Sequence, residues 1–123
     1  KLNSCYRSFR DELMSVGKID ITAEQYAIVQ NILSKNISTH IKVWVFGSRV
    51  KNSAKKYSDL DLALENSDGS KIDQKVIFAL QTDFEDSDLP WTVDVLDLNN
   101  ITPEFRRLIE QDKVQFPPQS DKN

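Results

Sequence analysis

Residues 44–64 read WVFGSRVKNSAKKYSDLDLAL. An apolar run stops at Gly47-Ser48, and a loop with cationic side chains at Arg49, Lys51, Lys55 and Lys56 follows. Asp59 and Asp61 then flank Leu60. The β-rich run from Ile41 to Phe46 predicts a short buried strand that Gly47 ends. Leu60, Leu62 and Leu64 alternate with Asp59, Asp61 and Ala63, the period of a second strand. Because side chains alternate along a strand, both carboxylates are expected on one face.

Working outward, Thr22 and Gln25 have the spacing of a capping box, with Ile21 and Tyr26 placed as a hydrophobic staple. Tyr26, Val29 and Leu33, with Ile28 and Ile32 beside them, predict a helix over about 23–37. Beyond the second strand, residues 66–69 read as a turn. Ser70 is expected to cap a helix, with Asp73 completing its box and Ile72, Val76, Ile77, Leu80 and Phe84 as its apolar face. An acidic loop over 83–90 leads to a third strand from Trp91 to Leu96, in which Asp94 stands between Val93 and Val95. Thr102-Pro103 is an N-cap followed by a proline at the first helical position, with Phe105, Leu108 and Ile109 as the inner face.

The order helix, strand, strand, helix, strand, helix predicts an α/β (α+β) domain: a small mixed sheet of three to four strands with helices mainly on one side. Residues 20–114 are expected to form this single domain. Residues 1–19 read as an extension, with Leu2, Tyr6, Phe9 and Leu13 at helical spacing. Residues 115–123, with Pro117-Pro118, read as a flexible tail.

Two carboxylates close together repel unless a cation neutralises them, and Mg²⁺ takes such hard oxygen ligands. A third acid on an adjacent strand would complete a two-metal site for in-line displacement. Asp94 is the best candidate and Asp97, nearer its strand end, the weaker one. Gly47 lets backbone approach a ligand closely, and the amides after it, with the Ser48 hydroxyl, suit a phosphate. Arg49, Lys51, Lys55 and Lys56 could add positive charge around a triphosphate. The turn is not a Walker loop, since no Gly-Lys-Ser/Thr ends it. Taken singly, each feature has an ordinary explanation: an acidic strand edge, a turn, a solvated loop, an outward polar residue. The joint spacing is what points to chemistry. His40 and Cys5 carry no functional case.

Gly-Ser, ten residues and Asp-x-Asp form the signature of the polymerase-β-like nucleotidyltransferase superfamily. Here they stand as Gly47-Ser48 and Asp59-Leu60-Asp61. The stretches FGSRVKNSAKKYSDLDLAL and DLPWTVDVLDL resemble the minimal nucleotidyltransferases (MNT proteins) that pair with HEPN-domain partners in bacteria and archaea. The resemblance covers roughly residues 20–112. Many relatives have a glycine three or four residues after the serine, where this chain has Lys51 and Asn52.

The resemblance implies the nucleotidyltransferase fold, with two Mg²⁺ ions on Asp59 and Asp61. Asp94 would bind one ion and help to deprotonate the attacking hydroxyl. Ser48 and the Gly47 backbone would hold the β- and γ-phosphates, with Arg49 and Lys51 as further phosphate contacts. It implies ATP as donor and AMP transfer to a tyrosine of a HEPN ribonuclease toxin, for which the protein acts as antitoxin in a hetero-oligomer. Two alternatives stay open: a catalytically idle antitoxin that neutralises by covering the toxin, and a small-molecule nucleotidyltransferase whose acceptor site is shared with a second subunit.

Composition sets the outer bounds. The 123 residues suit one domain, and 39% hydrophobic with 28% charged residues suits a folded core in water. A net charge of −3 argues against a phosphate-tracking basic face, so direct nucleic-acid binding is not expected. No apolar run has membrane-spanning length. With one cysteine and one histidine, zinc and intrachain disulfides are excluded, and a cytoplasmic location is expected.

Overall fold

The computed structural model describes residues 19–51 and 53–117. The helical spacing at residues 1–13, Cys5 and Pro118 lie outside the described residues. Helix α1 spans Ala23–Asn36. The Thr22 hydroxyl accepts from the Gln25 amide while Gln25 Oε1 accepts from the Thr22 amide, so the expected capping box forms. Strand β1 (Ile41–Phe46) and β2 (Leu60–Asn66) follow, then α2 (Gln74–Glu85), β3 (Val93–Asp97), a short 3-10 turn over Leu98–Asn100, α3 (Pro103–Asp112) and β4 (Val114–Phe116).

The strand order is β3-β2-β1-β4. Strand β1 is antiparallel to both β2 and β4, whereas β2 and β3 are parallel, so α2 serves as the crossover a parallel pair requires. The sheet is therefore mixed. Val43, Val45, Leu60, Leu62, Leu64, Val93 and Val95 turn one face towards Val29 and Leu33 of α1 and Ile77, Leu80 and Phe84 of α2. Each of the fully buried leucines contributes about 1.5–3 kcal/mol by leaving water. The opposite face holds a smaller cluster of Ala63, Leu98 and Ile109 flanked by Trp44 and Phe46. No described helix is long and apolar enough to cross a membrane.

Three expectations change. Helix α2 does not start at Ser70. The Ser70 amide and hydroxyl both donate to Asp68 Oδ1, and the Ile72 amide donates to Asp97 Oδ2 at 2.7 Å. Those bonds hold residues 70–72 out of the helix, and Asp73 caps it instead, accepting from the Lys75 amide. Helix α3 keeps its Thr102 cap, but of its expected inner face only Ile109 is buried. Leu108 is exposed, and Phe105 sits edge-on to Phe46. Finally, the ordered fold exceeds the expected domain at both ends. Ile19 belongs to the core, and residues 114–116, partly assigned to the tail, pair with β1. Phe116 is buried, its ring 5.0 Å from that of Tyr26.

Candidate active site

Strand register brings the acids together. Asp61 on β2 lies beside Asp94 on β3 and beside Phe46, the last residue of β1. Asp59 precedes β2 by one residue. The intervening Leu60, Leu62, Val93 and Val95 point into the core, so Asp61 and Asp94 occupy the opposite face of the sheet. Asp59 and Asp94 are exposed and Asp61 is half-buried. Burial, reinforced by the charges of Asp94 and Asp59, pushes the Asp61 carboxyl up to about 6.

The Gly47 turn fits against the same carboxylate. Gly47 has φ +84°, and a Cβ there would collide with Asp61 Oδ2. Glycine is thus required twice, by the left-handed backbone and by the space. The Gly47 carbonyl accepts from the Val50 and Lys51 amides, and the Ser48 carbonyl from the Lys51 and Ser53 amides. Among the described residues, the Ser48 and Arg49 amides have no such acceptor. Successive amides after a left-handed residue form an anion-binding concavity.

Arg49 does not turn towards a ligand. It is only 5% exposed, and its guanidinium donates to backbone carbonyls of Asp20, Lys55, Lys56 and Ser58 while stacking on Trp91. In place of the expected phosphate contact, its side chain holds carbonyls of the loop and of Asp20 and stacks on Trp91. Lys51 is exposed and pairs with Asp112 of α3 at 3.4 Å. Asp97, the weaker acid candidate, is buried and accepts from the Ile72 and Asn99 amides. It stands three residues beyond Asp94, on the other face and away from the pair. Trp91 was legible only as a strand residue, since nothing in the sequence signals its pairing with Arg49.

Among the described residues, no three His, Cys, Asp or Glu side chains already close on one metal position. The three aspartates are neighbours of like charge, and such hard oxygen donors fit a divalent cation of the Mg²⁺ class. A groove between α1 and α2, lined by Ala27, Asn31, Lys35, Asp83 and Asp86, lies across the sheet from them.

Comparison with known proteins identifies the family. Residues 28–119 match the family Polymerase beta, Nucleotidyltransferase. The chain is 42% identical over 99 residues to the Probable protein adenylyltransferase MntA of Haemophilus influenzae, covering 80% of this chain and 84% of that one. Its fold is similar to that of a toxin-antitoxin crystallised with AMP-PNP, with TM-score 0.62 and 19% identity over 77% of this chain and 74% of the other. A mutant of the toxin-antitoxin MntA-HpeT gives TM-score 0.58 and 17% identity over the same shares. Family match, sequence identity and carboxylate geometry converge: the chain belongs to the polymerase-β-type nucleotidyltransferases, in their minimal nucleotidyltransferase branch.

Proposed function

We propose that the protein transfers AMP from ATP to a tyrosine hydroxyl of a HEPN ribonuclease toxin, and so acts as its antitoxin. The observation that carries this reading is the register of Asp61 against Asp94, with Asp59 adjacent and the Gly47 turn packed on the Asp61 carboxylate. Support comes from a relative named as a probable protein adenylyltransferase and from structural neighbours that are toxin-antitoxin assemblies, one with AMP-PNP.

In this reading Asp59, Asp61 and Asp94 hold two Mg²⁺ ions. Bound there, Mg²⁺ offsets the clustered negative charge and polarises the phosphates. The Ser48 hydroxyl and the amides after Gly47 bind the β- and γ-phosphates, and Lys51 adds a cation at their edge. Asp94, exposed at its strand, accepts the proton of the attacking hydroxyl. The hydroxyl oxygen bonds to the α-phosphorus, the bond to the bridging oxygen breaks, and pyrophosphate carries away the electron pair. Catalysis is by positioning and charge stabilisation. The exposure of Asp59 and Asp94 leaves the site open to a macromolecular acceptor.

The test mixes the protein with its HEPN partner, Mg²⁺ and each nucleoside triphosphate in turn, and measures intact masses. The expected result is whole AMP additions to a partner tyrosine with ATP, absent for Asp59→Asn/Asp61→Asn. Full neutralisation by that double variant, with no mass added, would contradict the proposal and support binding alone.

A further inference from the structure

We infer that Arg49 is a positioning residue that sets the separation between the phosphate-holding turn and the acid pair. This rests on the reading of the site above. Arg49 directly follows Ser48, and three of the carbonyls it holds, those of Lys55, Lys56 and Ser58, lie within the four residues before Asp59. Its Nε donates to the Ser58 carbonyl at 3.1 Å, and Nη2 donates to the same oxygen at 2.8 Å. Nη2 also reaches the Lys56 and Lys55 carbonyls at 3.2 and 3.3 Å. From the other side, Nη1 donates to the Asp20 carbonyl at 2.7 Å, and the Asp20 amide returns a bond to the Arg49 carbonyl at 2.7 Å. The guanidinium carbon lies 4.6 Å from the centroid of the Trp91 ring.

One side chain thus joins the residue after Ser48 to the residue before Asp59. Among the described residues, its partners are carbonyls and one aromatic face, with no carboxylate in reach. A buried cation is retained only where its N–H groups are met. Here they are met by three loop carbonyls and by the Asp20 carbonyl, so the charge ties the loop's two ends together and anchors them to the segment before α1. The loop's internal bonds are short-range: the Lys55 amide to Ser58 Oγ, the Ser58 amide to the Lys55 carbonyl, and the Ser53 amide to the Ser48 carbonyl. None of these spans from the Ser48 turn to Ser58. Lysine cannot replace the arginine, because three donors on one nitrogen cannot fan out to carbonyls on opposite sides as a planar guanidinium does.

The test compares wild type with Arg49→Lys and Arg49→Met by amide hydrogen exchange, by binding of AMP-PNP with Mg²⁺, and by AMP transfer. Both variants should speed exchange at Ser53 and Ser58 by at least about tenfold while α2 amides hold their protection. Analogue binding should weaken, the Mg²⁺ requirement should rise, and transfer should fall about 10²-fold. Loop exchange and analogue affinity left at wild-type values in Arg49→Lys would overturn the inference. So would a uniform loss of protection across α1, α2 and the sheet, which marks a general stabilising role. If Arg49→Met does not fold, Trp91→Leu keeps every hydrogen bond and should show a weaker form of the same loop-confined pattern. Wild-type protein that binds the analogue but labels no protein would overturn the acceptor assignment and leave this inference standing.

Discussion

Asp61 and Glu65 stand on the same strand, four residues apart and on the same face, yet their surroundings are opposite. The Glu65 carboxylate accepts from the Trp44 indole at 2.8 Å and pairs with Arg106 at 3.4 Å. Arg106 also pairs with Glu110, which pairs with Lys113, and Lys113 lies over the Trp44 ring. Lys113 beside Glu110 holds that carboxyl below its ordinary range. At the other end, Asp61 is pushed up by burial first and then by the charges of its neighbours Asp94 and Asp59. Along one strand, then, charge is balanced at one end and unbalanced at the other, where the proposed Mg²⁺ ions would supply the balance. Unbalanced charge in a fold is a cost, and it clusters where function requires it.

The contrast can be broken from either end. Asp61→Asn should lower AMP transfer by about 10²-fold or more, measured by intact mass over time. Its melting temperature at pH 7 should not fall, because a repelling charge is removed. Gly47→Ala should be damaging on both counts. The strained backbone costs on the order of 1–3 kcal/mol in chemical denaturation, and displacement of the Asp61 carboxylate lowers transfer about 10²-fold.

At the balanced end, Glu65→Ala should cost about 1–3 kcal/mol of stability by leaving the Trp44 N–H without its acceptor and removing one of the partners of Arg106. Transfer by the folded variant should be unchanged. The smallest effect is in pH. Because the folded-state pKa of Asp61 is raised from 3.8 to about 6, its contribution to the metal-free fold is fully present below about 3.8. It is lost as pH rises through about 6, and solvent screening at this half-exposed group keeps it small. Denaturation midpoints between pH 4 and 7 should show that decline in wild type and not in Asp61→Asn.

Much of this was legible in the sequence because it rests on local rules. Thr22 and Gln25 are three residues apart, so their mutual bonds needed only helix geometry. The alternation of Leu60, Asp61 and Leu62 marked the strand and the face of Asp61, and Asp94 stood out between two valines. What escaped depends on distant partners. The start of α2 is set by Asp97, which takes the Ile72 amide from 25 residues away. The inward turn of Arg49 depends on carbonyls brought together only by the folded loop, and carbonyls have no sequence signature. Strand β4 has three residues, too few to show a period. Helix α3 shields its sheet partly through Arg106 and Lys113, so its apolar pattern overstated what is buried.

The most direct test is a thermal-shift titration at pH 7 of wild type and Asp61→Asn with Mg²⁺ and AMP-PNP. Binding to the folded state alone raises the melting temperature with ligand concentration. Wild type should show that rise only when both are present, and Asp61→Asn should show none. An equal rise in the two proteins, or none in wild type, would contradict the assignment of the aspartate cluster as the nucleotide-transfer site.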